Sequence, residues 1–136
     1  MKLGVDIHGT IDACPELFSK LIKRFRDIST EVHIITGIKI TQEVLDELEE
    51  WGIEYDYIFS ITDYHESIGT KINYDGVGDP WIDEEIWNRT KGDYCEREDI
   101  DVCIDDSPLY GEYFRNTVYI KFEKEAVELL DVLLGV

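Results

Sequence analysis

Basic residues are scarce in this chain: 13 lysines and arginines stand against 31 acidic residues, which gives a formal net charge of −18. Residues 41–70 contain no lysine or arginine and carry nine acidic residues. An acidic surface repels phosphate backbones and anionic membranes, so the composition argues against nucleic-acid and membrane partners. The acidic segment itself is interpreted as a solvated face that aids solubility.

Cysteines and long apolar runs are also few. Cys14, Cys95 and Cys103 lack the spacing of a metal knuckle, and Cys103 lies in an apolar run typical of a buried residue. No stretch approaches the roughly 20 apolar residues that span a bilayer. The chain reaches Asp6 before a signal-like apolar run can form. We therefore expect a cytoplasmic protein that needs no disulfides.

Strand-like and helical patterns alternate along the chain. With 136 residues, 43% of them hydrophobic, the length and composition favour one domain over residues 1–136. The predicted strands are residues 3–6, 32–36, 57–60, 101–104 and 118–120, and the predicted helices are 15–27, 41–51, 83–98 with a break near Gly92, and 124–134. Residues 62–82 are predicted to be irregular, and Ser107-Pro108 to open a short helix.

This alternation predicts an α/β fold, a Rossmann-like three-layer sandwich with a five-stranded parallel sheet and right-handed crossovers. Ligands in such folds bind outside the carboxyl ends of the strands. Polar residues stand at three of these ends: Asp6 after the first strand, Thr36 and Gly37 after the second, and Asp105 and Asp106 after the fourth. We expect them to meet at one edge of the sheet.

The types of these residues predict phosphoryl transfer. Gathered carboxylates repel one another unless a cation neutralises them, and an all-oxygen ligand set suits Mg²⁺, which also accompanies phosphates. A threonine hydroxyl followed by a glycine amide can hydrogen-bond a phosphoryl oxygen. A carboxylate can act as nucleophile through an aspartyl-phosphate. Aspartate clusters also occur in phosphorylation-dependent receiver domains, which Thr36-Gly37 and the loop after Asp6 do not suit.

Three segments together resemble motifs of the haloacid dehalogenase (HAD) superfamily. Residues 4–12 resemble its first motif, a strand ending in Asp-x-Asp-Gly-Thr, residues 34–37 its second, and residues 102–107 its fourth in the paired-acid form. The resemblance covers essentially the whole chain, with the motifs in the right order. It implies a single HAD-like domain that hydrolyses phosphomonoesters with magnesium.

The resemblance also implies a role for each motif residue. Asp6 would be the attacking carboxylate and a magnesium ligand, and Asp106 the direct acidic ligand from the fourth motif. Asp105 would act through water or orient the site, and the backbone carbonyl of His8 would complete the protein ligands. The expected phosphoryl-binding residues are Gly9, Thr10, Thr36, Gly37 and Lys91. The alternative interpretation of Asp105 and Asp106 is a helix-capping loop, since aspartate is favoured before Ser107-Pro108.

The family needs a lysine that holds the aspartate and phosphate charges together. Lys91 begins the last helical segment before the fourth strand, which is the usual place for it. Lys71, in the irregular segment, is the rival. Either one could instead be a solvated surface lysine.

One residue departs from the family pattern, because His8 stands where active phosphatases usually carry a second Asp. In the family that Asp protonates the leaving oxygen and later deprotonates the hydrolytic water. An imidazole can exchange protons near neutral pH, but its reach and shape differ from those of a carboxylate. Either His8 is the general acid–base of an active phosphatase, or it weakens turnover and leaves a metal- and phosphate-binding regulatory domain.

Residues 62–82 occupy a position where HAD enzymes place caps. The segment is too short for a large folded cap but long enough for a short flap. Tyr64, Tyr74 and Trp81 within it could stack on a base or sugar, or could simply pack the flap down. Because the chain is similar to small 5′-nucleotidase-like members, the expected partner is a small phosphorylated metabolite, with nucleotides favoured over sugar phosphates.

Overall fold

Strands and helices alternate along the computed structural model, which describes residues 1–135. In chain order the elements are β1 (Lys2–Val5), α1 (Pro15–Asp27), β2 (Glu31–Thr36), α2 (Gln42–Glu50), β3 (Tyr57–Ser60), α3 (Ile61–Ile68), β4 (Asn73–Tyr74), β5 (Pro80–Trp81), α4 (Glu84–Arg97), β6 (Val102–Asp105), β7 (Val118–Lys121) and α5 (Lys124–Leu134). Five strands form one parallel sheet in the order β3-β2-β1-β6-β7. The predicted Rossmann-like α/β sandwich is confirmed.

The central strands are apolar on both faces, as a sheet covered by two helical layers requires. On one face, Leu3 and Val5 of β1 pack in a core with Phe18 and Ile22 of α1. On the other face, Ile35 belongs to a second cluster with Cys95, Ile100 and Cys103. The Cys103 side chain is fully buried, as its place in an apolar run predicts.

The strand order places the candidate site. The first connections lead from β1 outward to β2 and β3, and the chain then returns to the other side of β1 as β6. The order therefore reverses at β1, which is the switch point where open α/β sheets bind ligands. The Asp6 amide donates to the Ile104 carbonyl at 3.0 Å, so the ends of β1 and β6 are joined at this point.

The prediction that residues 62–82 are irregular is wrong for their first third, because α3 follows β3 directly. The Ser60 side chain caps this helix by accepting a hydrogen bond from the Asp63 amide at 3.0 Å, and Gly69 ends it with φ of 77°. The remaining flap contains a small antiparallel hairpin of β4 and β5. At eight residues, α3 was too short for its periodicity to stand out.

Two further sequence predictions fail around α4 and β6. The helix α4 runs without a break through Gly92. A Cβ at Gly92 would lie 2.5 Å from the Tyr113 carbonyl oxygen, so this glycine permits a close approach of two segments. No helix opens at Ser107-Pro108. The segment bends instead and leads into a 3₁₀ turn at Gly111–Tyr113.

The last helix, α5, matches the predicted bounds but contributes little to the core. No residue of α5 is buried, and its exposed apolar residues are Leu129, Leu130, Val132, Leu133 and Leu134. Within residues 1–135, no helix combines the length and apolar character that a bilayer crossing requires.

Candidate active site

Asp6 lies at the carboxyl end of the central strand, immediately after β1. Its side chain is almost fully buried, with the residue only 5% exposed. Lys91 Nζ donates to Asp6 Oδ1 at 2.8 Å, and the Thr10 hydroxyl donates to Asp6 Oδ2 at 3.3 Å. Both carboxylate oxygens are therefore fixed in direction by hydrogen bonds.

The paired acids after β6 have different surroundings. Asp105 is buried, and its two oxygens accept from Lys91 Nζ at 2.6 Å and from the Ser107 amide at 2.9 Å. Asp106 is only partly buried, and its carboxylate lies against Gly9. Because no helix starts at Ser107, the helix-capping alternative does not describe this pair. Asp105 has the contacts of an orienting group, and Asp106 is the more accessible acid.

Lys91 reaches this edge of the sheet from α4, and its side chain is 2% exposed. Its ammonium group bridges Asp6 and Asp105. Lys71 is not in this group of residues, since it lines a separate small cavity next to Trp81 and Asp83. The structure therefore brings Lys91, and not Lys71, to the predicted nucleophile.

The three carboxylates of Asp6, Asp105 and Asp106, here called the carboxylate cluster, face this one lysine. Burial is the main cause that raises the pKa of Asp6 to about 7; the Lys91 charge opposes the rise, and the charges of Asp105 and Asp106 add to it. Burial alone would lower the pKa of Lys91, yet its two carboxylate partners outweigh burial and hold that pKa above its usual value. The cluster thus has more negative charge than the protein itself compensates.

This donor set fits a magnesium ion. One oxygen from each of the three aspartates can be chosen so that all lie within 4.8 Å of one another. Hard cations take such all-oxygen ligands, and Mg²⁺ in particular binds through one or two carboxylates and completes its octahedron with waters and phosphate oxygens. A divalent cation would also neutralise the charge that Lys91 leaves uncompensated.

Comparison with family models, with curated proteins and with solved structures finds no match for this chain.

His8 lines the mouth of the site, and its side chain is 59% exposed. Its Nδ1 lies 3.1 Å from Asp12 Oδ2, and the other Asp12 oxygen accepts from the Gly9 amide at 2.7 Å. Asp12 therefore contacts the imidazole through Nδ1 and leaves Nε2 free of that contact. Asp12 had no predicted role, although its spacing from His8 places both residues within one tight turn.

Apart from Lys91, the predicted phosphoryl contacts divide into three groups. Gly37 lines the cavity beside Asp6. Gly9 and Thr10 instead contact the aspartates of the site. The Thr10 hydroxyl donates a hydrogen bond to Asp6. Gly9 has φ of 79° and leaves room for Asp106, because a Cβ at this position would lie 2.1 Å from an Asp106 carboxylate oxygen. Thr36 is fully buried, and its hydroxyl accepts from the Ile38 amide at 3.4 Å.

A cavity of about 760 Å³ opens above the carboxylate cluster. Its walls include residues that the sequence analysis did not select: Lys39, Glu66, Trp87 and Tyr110. Tyr74, from the flap, also lines the cavity, whereas Trp81 lies outside it. The volume is within the range of small-molecule sites, roughly 300–1,000 Å³. The flap therefore adds one aromatic side chain and the hairpin turn to the wall.

Proposed function

We propose that this chain is a magnesium-dependent phosphomonoester hydrolase of HAD type that forms an aspartyl-phosphate on Asp6. The observation that carries the proposal is the Asp6–Lys91–Asp105 arrangement at the end of the central strand, 2.8 and 2.6 Å between its charged atoms. A nucleophilic carboxylate needs a fixed direction and a nearby positive charge, and this arrangement supplies both. We expect the enzyme to act in the cytoplasm on a small phosphorylated metabolite, with nucleotides first.

In the first step, an Asp6 oxygen attacks phosphorus, the bond from phosphorus to the leaving oxygen breaks, and His8 donates a proton to that oxygen. In the second step, His8 takes a proton from water, the water oxygen attacks phosphorus, and the bond to Asp6 breaks to release phosphate. Lys91 offsets the negative charge that develops beside Asp6. A magnesium ion held by Asp6 and Asp106 would supply further charge neutralisation for the phosphoryl oxygens.

The His8–Asp12 contact supports the catalytic hypothesis over the regulatory one. A general acid–base works best when a third group orients it, and Asp12 has that position relative to the imidazole. The second candidate, a metal- and phosphate-binding regulatory domain, predicts the opposite behaviour when residue 8 is changed.

Replacing His8 with Ala is expected to lower kcat by about 10²–10⁴ while leaving magnesium and phosphate binding nearly unchanged. Asp12→Asn should cause a smaller loss, because the ring remains but is less well oriented. A comparison of kcat for wild type, His8→Ala and His8→Asp distinguishes the active phosphatase from the regulatory domain. A higher kcat in His8→Asp, with little loss in His8→Ala, would support the regulatory domain.

Magnesium is expected to raise the melting temperature by several degrees. At a magnesium concentration a hundredfold above Kd, binding to the folded state adds about 2.7 kcal/mol to the free energy of unfolding. In domains of about this size, each kcal/mol raises the melting temperature by roughly 2–8 °C. Asp106→Asn should remove the shift, whereas Asp131→Asn on exposed α5 should keep it. A magnesium-dependent shift that survives Asp106→Asn intact would place the ion elsewhere.

The pH dependence of stability without magnesium follows from Asp6. Its folded-state pKa, raised from 3.8 to about 7, means that the folded state holds this proton more tightly than the unfolded state. The contribution of protonated Asp6 to the free energy of unfolding is therefore fully present below pH 3.8 and is lost as pH rises toward about 7. Melting curves of wild type and Asp6→Asn, measured at several pH values, isolate the pH-dependent stabilisation that Asp6 provides. The magnesium-induced stabilisation should be largest at pH values above that range.

A panel of phosphomonoesters assayed with and without magnesium tests the proposed function. Magnesium-dependent phosphate release from at least one small metabolite supports it. Binding of magnesium and phosphate without turnover of any ester would favour the regulatory domain.

A further inference from the structure

Two aromatic rings lie at the end of the cavity that contains Asp6 and Lys91. Trp87 Nε1 donates to the Tyr110 hydroxyl at 2.9 Å, so the two side chains are held as a pair. Lys91 Nζ lies 5.3 Å from the centroid of the Tyr110 ring. The Trp87 ring packs so closely on Gly37 that a Cβ there would lie 2.9 Å from it. This aromatic pair is therefore fixed next to both Asp6 and the Thr36-Gly37 motif.

The charged residues in the outer part of the cavity are arranged differently. Of the cavity-lining residues in the described chain, only Lys39 and Lys91 are lysines or arginines, and His8 at the mouth of the cavity already faces Asp12, with 3.1 Å between Nδ1 and Oδ2. Lys39 Nζ is bound to Glu66 Oε2 at 2.5 Å and lies 3.7 Å from Asp63 Oδ1. Glu66 also accepts a hydrogen bond from the Tyr74 hydroxyl of the flap. The positive charge of Lys39 is thus already compensated.

Acidic groups exceed basic ones in this outer region. Glu66 and Asp79 line it together with Lys39, and Lys91 is committed to the carboxylate cluster. A second phosphate or carboxylate on a bound ligand would meet these acids without an uncompensated cation to receive it. Such an arrangement rejects a competing ligand by repulsion as well as by the lack of an attractive contact.

We infer that the cavity selects phosphomonoesters whose leaving group carries a flat ring and no second acidic group, with the ring packed on Trp87 and Tyr110. The inference uses the proposed function only to place the phosphoryl group at Asp6. The recognition of the ring follows from the aromatic pair, since stacking on an aromatic side chain tolerates any flat ring. Exclusion of the second anion follows from the Lys39–Glu66 pair.

Three matched ligands test the inference on the Asp6→Asn protein, whose amide keeps an oxygen at this position and which is expected to bind ligands without turning them over. They are adenosine 5′-monophosphate, ribose 5-phosphate, which lacks the base, and adenosine 3′,5′-bisphosphate, which adds a phosphate. Calorimetry with magnesium should show adenosine 5′-monophosphate binding about 10- to 100-fold more tightly than ribose 5-phosphate. The bisphosphate should bind no more tightly than the monophosphate. Equal affinities for the first two, tighter bisphosphate binding, or no binding of any ligand overturns the inference.

Variants in the same background assign these preferences to residues. Trp87→Ala should remove most of the advantage of the base, and Trp87→Phe should keep part of it. Trp81→Ala, outside the cavity, is the matched control and should change nothing. Glu66→Gln should release Lys39 and improve bisphosphate binding several-fold relative to the monophosphate. An unchanged base preference in a folded Trp87→Ala protein, or unchanged bisphosphate binding in Glu66→Gln, contradicts the assignment.

Failure here is separable from failure of the proposed function. Absence of turnover by wild type across the phosphomonoester panel would count against the hydrolase, whereas these affinities are measured without turnover. A hydrolase that binds the base-free sugar phosphate as well as the nucleotide would retain the proposed function and lose only the inferred selectivity.

Discussion

Replacing Asp6 with Asn is expected to lower phosphate release by at least about a thousandfold, because the carboxylate is the proposed nucleophile and an amide cannot take its place. The substitution should also abolish acid-stable incorporation of a phosphoryl group at this position. Phosphate release and acid-quenched labelling, measured with the same substrate and magnesium concentration, check both expectations. Retained activity above about a tenth of wild type would contradict the assignment.

The stability of the Asp6→Asn protein provides its control. Asp6 is one of three carboxylates that face a single lysine, and burial raises its pKa. A neutral amide relieves repulsion while Lys91 keeps its contact with Asp105 at 2.6 Å. We therefore expect a magnesium-free melting temperature at least equal to that of wild type at neutral pH. A loss of activity accompanied by unfolding would not identify a nucleophile, and melting curves separate the two.

Replacing Lys91 with Met is expected to abolish turnover and to lower the free energy of unfolding by about 3–5 kcal/mol without magnesium. The lysine is buried and bridges Asp6 and Asp105, so its loss leaves buried carboxylates without their cation. The methionine side chain fills similar volume, which limits any cavity effect. Chemical denaturation in chelator measures the change in the free energy of unfolding, and the phosphate assay measures turnover.

Lys71→Met is the matched control, because Lys71 was the rival in the sequence and lines a different cavity. It should keep both stability and activity. Magnesium should recover part of the stability of Lys91→Met, since the ion neutralises the same carboxylates, but it should not restore turnover. A Lys91→Met protein as stable and active as wild type would show that the bridge has no role.

The position of the site could be predicted because it depends on few features of the chain. Short apolar runs followed by polar residues identify the strand ends, and the carboxyl ends of parallel strands share one edge. Asp6, Asp105 and Thr36 were assigned to that edge on this basis, and the sheet order places their strands side by side. Lys91 needed the motif resemblance, since nothing in its local sequence distinguishes it from a surface lysine.

Other features depend on contacts between distant residues and left no local signal. Trp87 and Tyr110 are 23 positions apart and become a pair only when α4 packs near the loop after β6. Gly92 looked like a helix break, yet it serves the approach of the Tyr113 carbonyl. Residues 62–82 looked irregular because a helix of eight residues shows barely two turns of periodicity.

The most direct test of the central claim is the covalent state of Asp6 during turnover. Wild-type protein mixed with magnesium and an active phosphomonoester is quenched in acid within the first turnovers, digested, and analysed by mass spectrometry. We predict a single phosphoryl group on Asp6, within the peptide that also contains His8, and none in Asp6→Asn treated identically. Magnesium-dependent phosphate release without any phosphoryl group on Asp6, in samples quenched across the first turnover, would contradict the account.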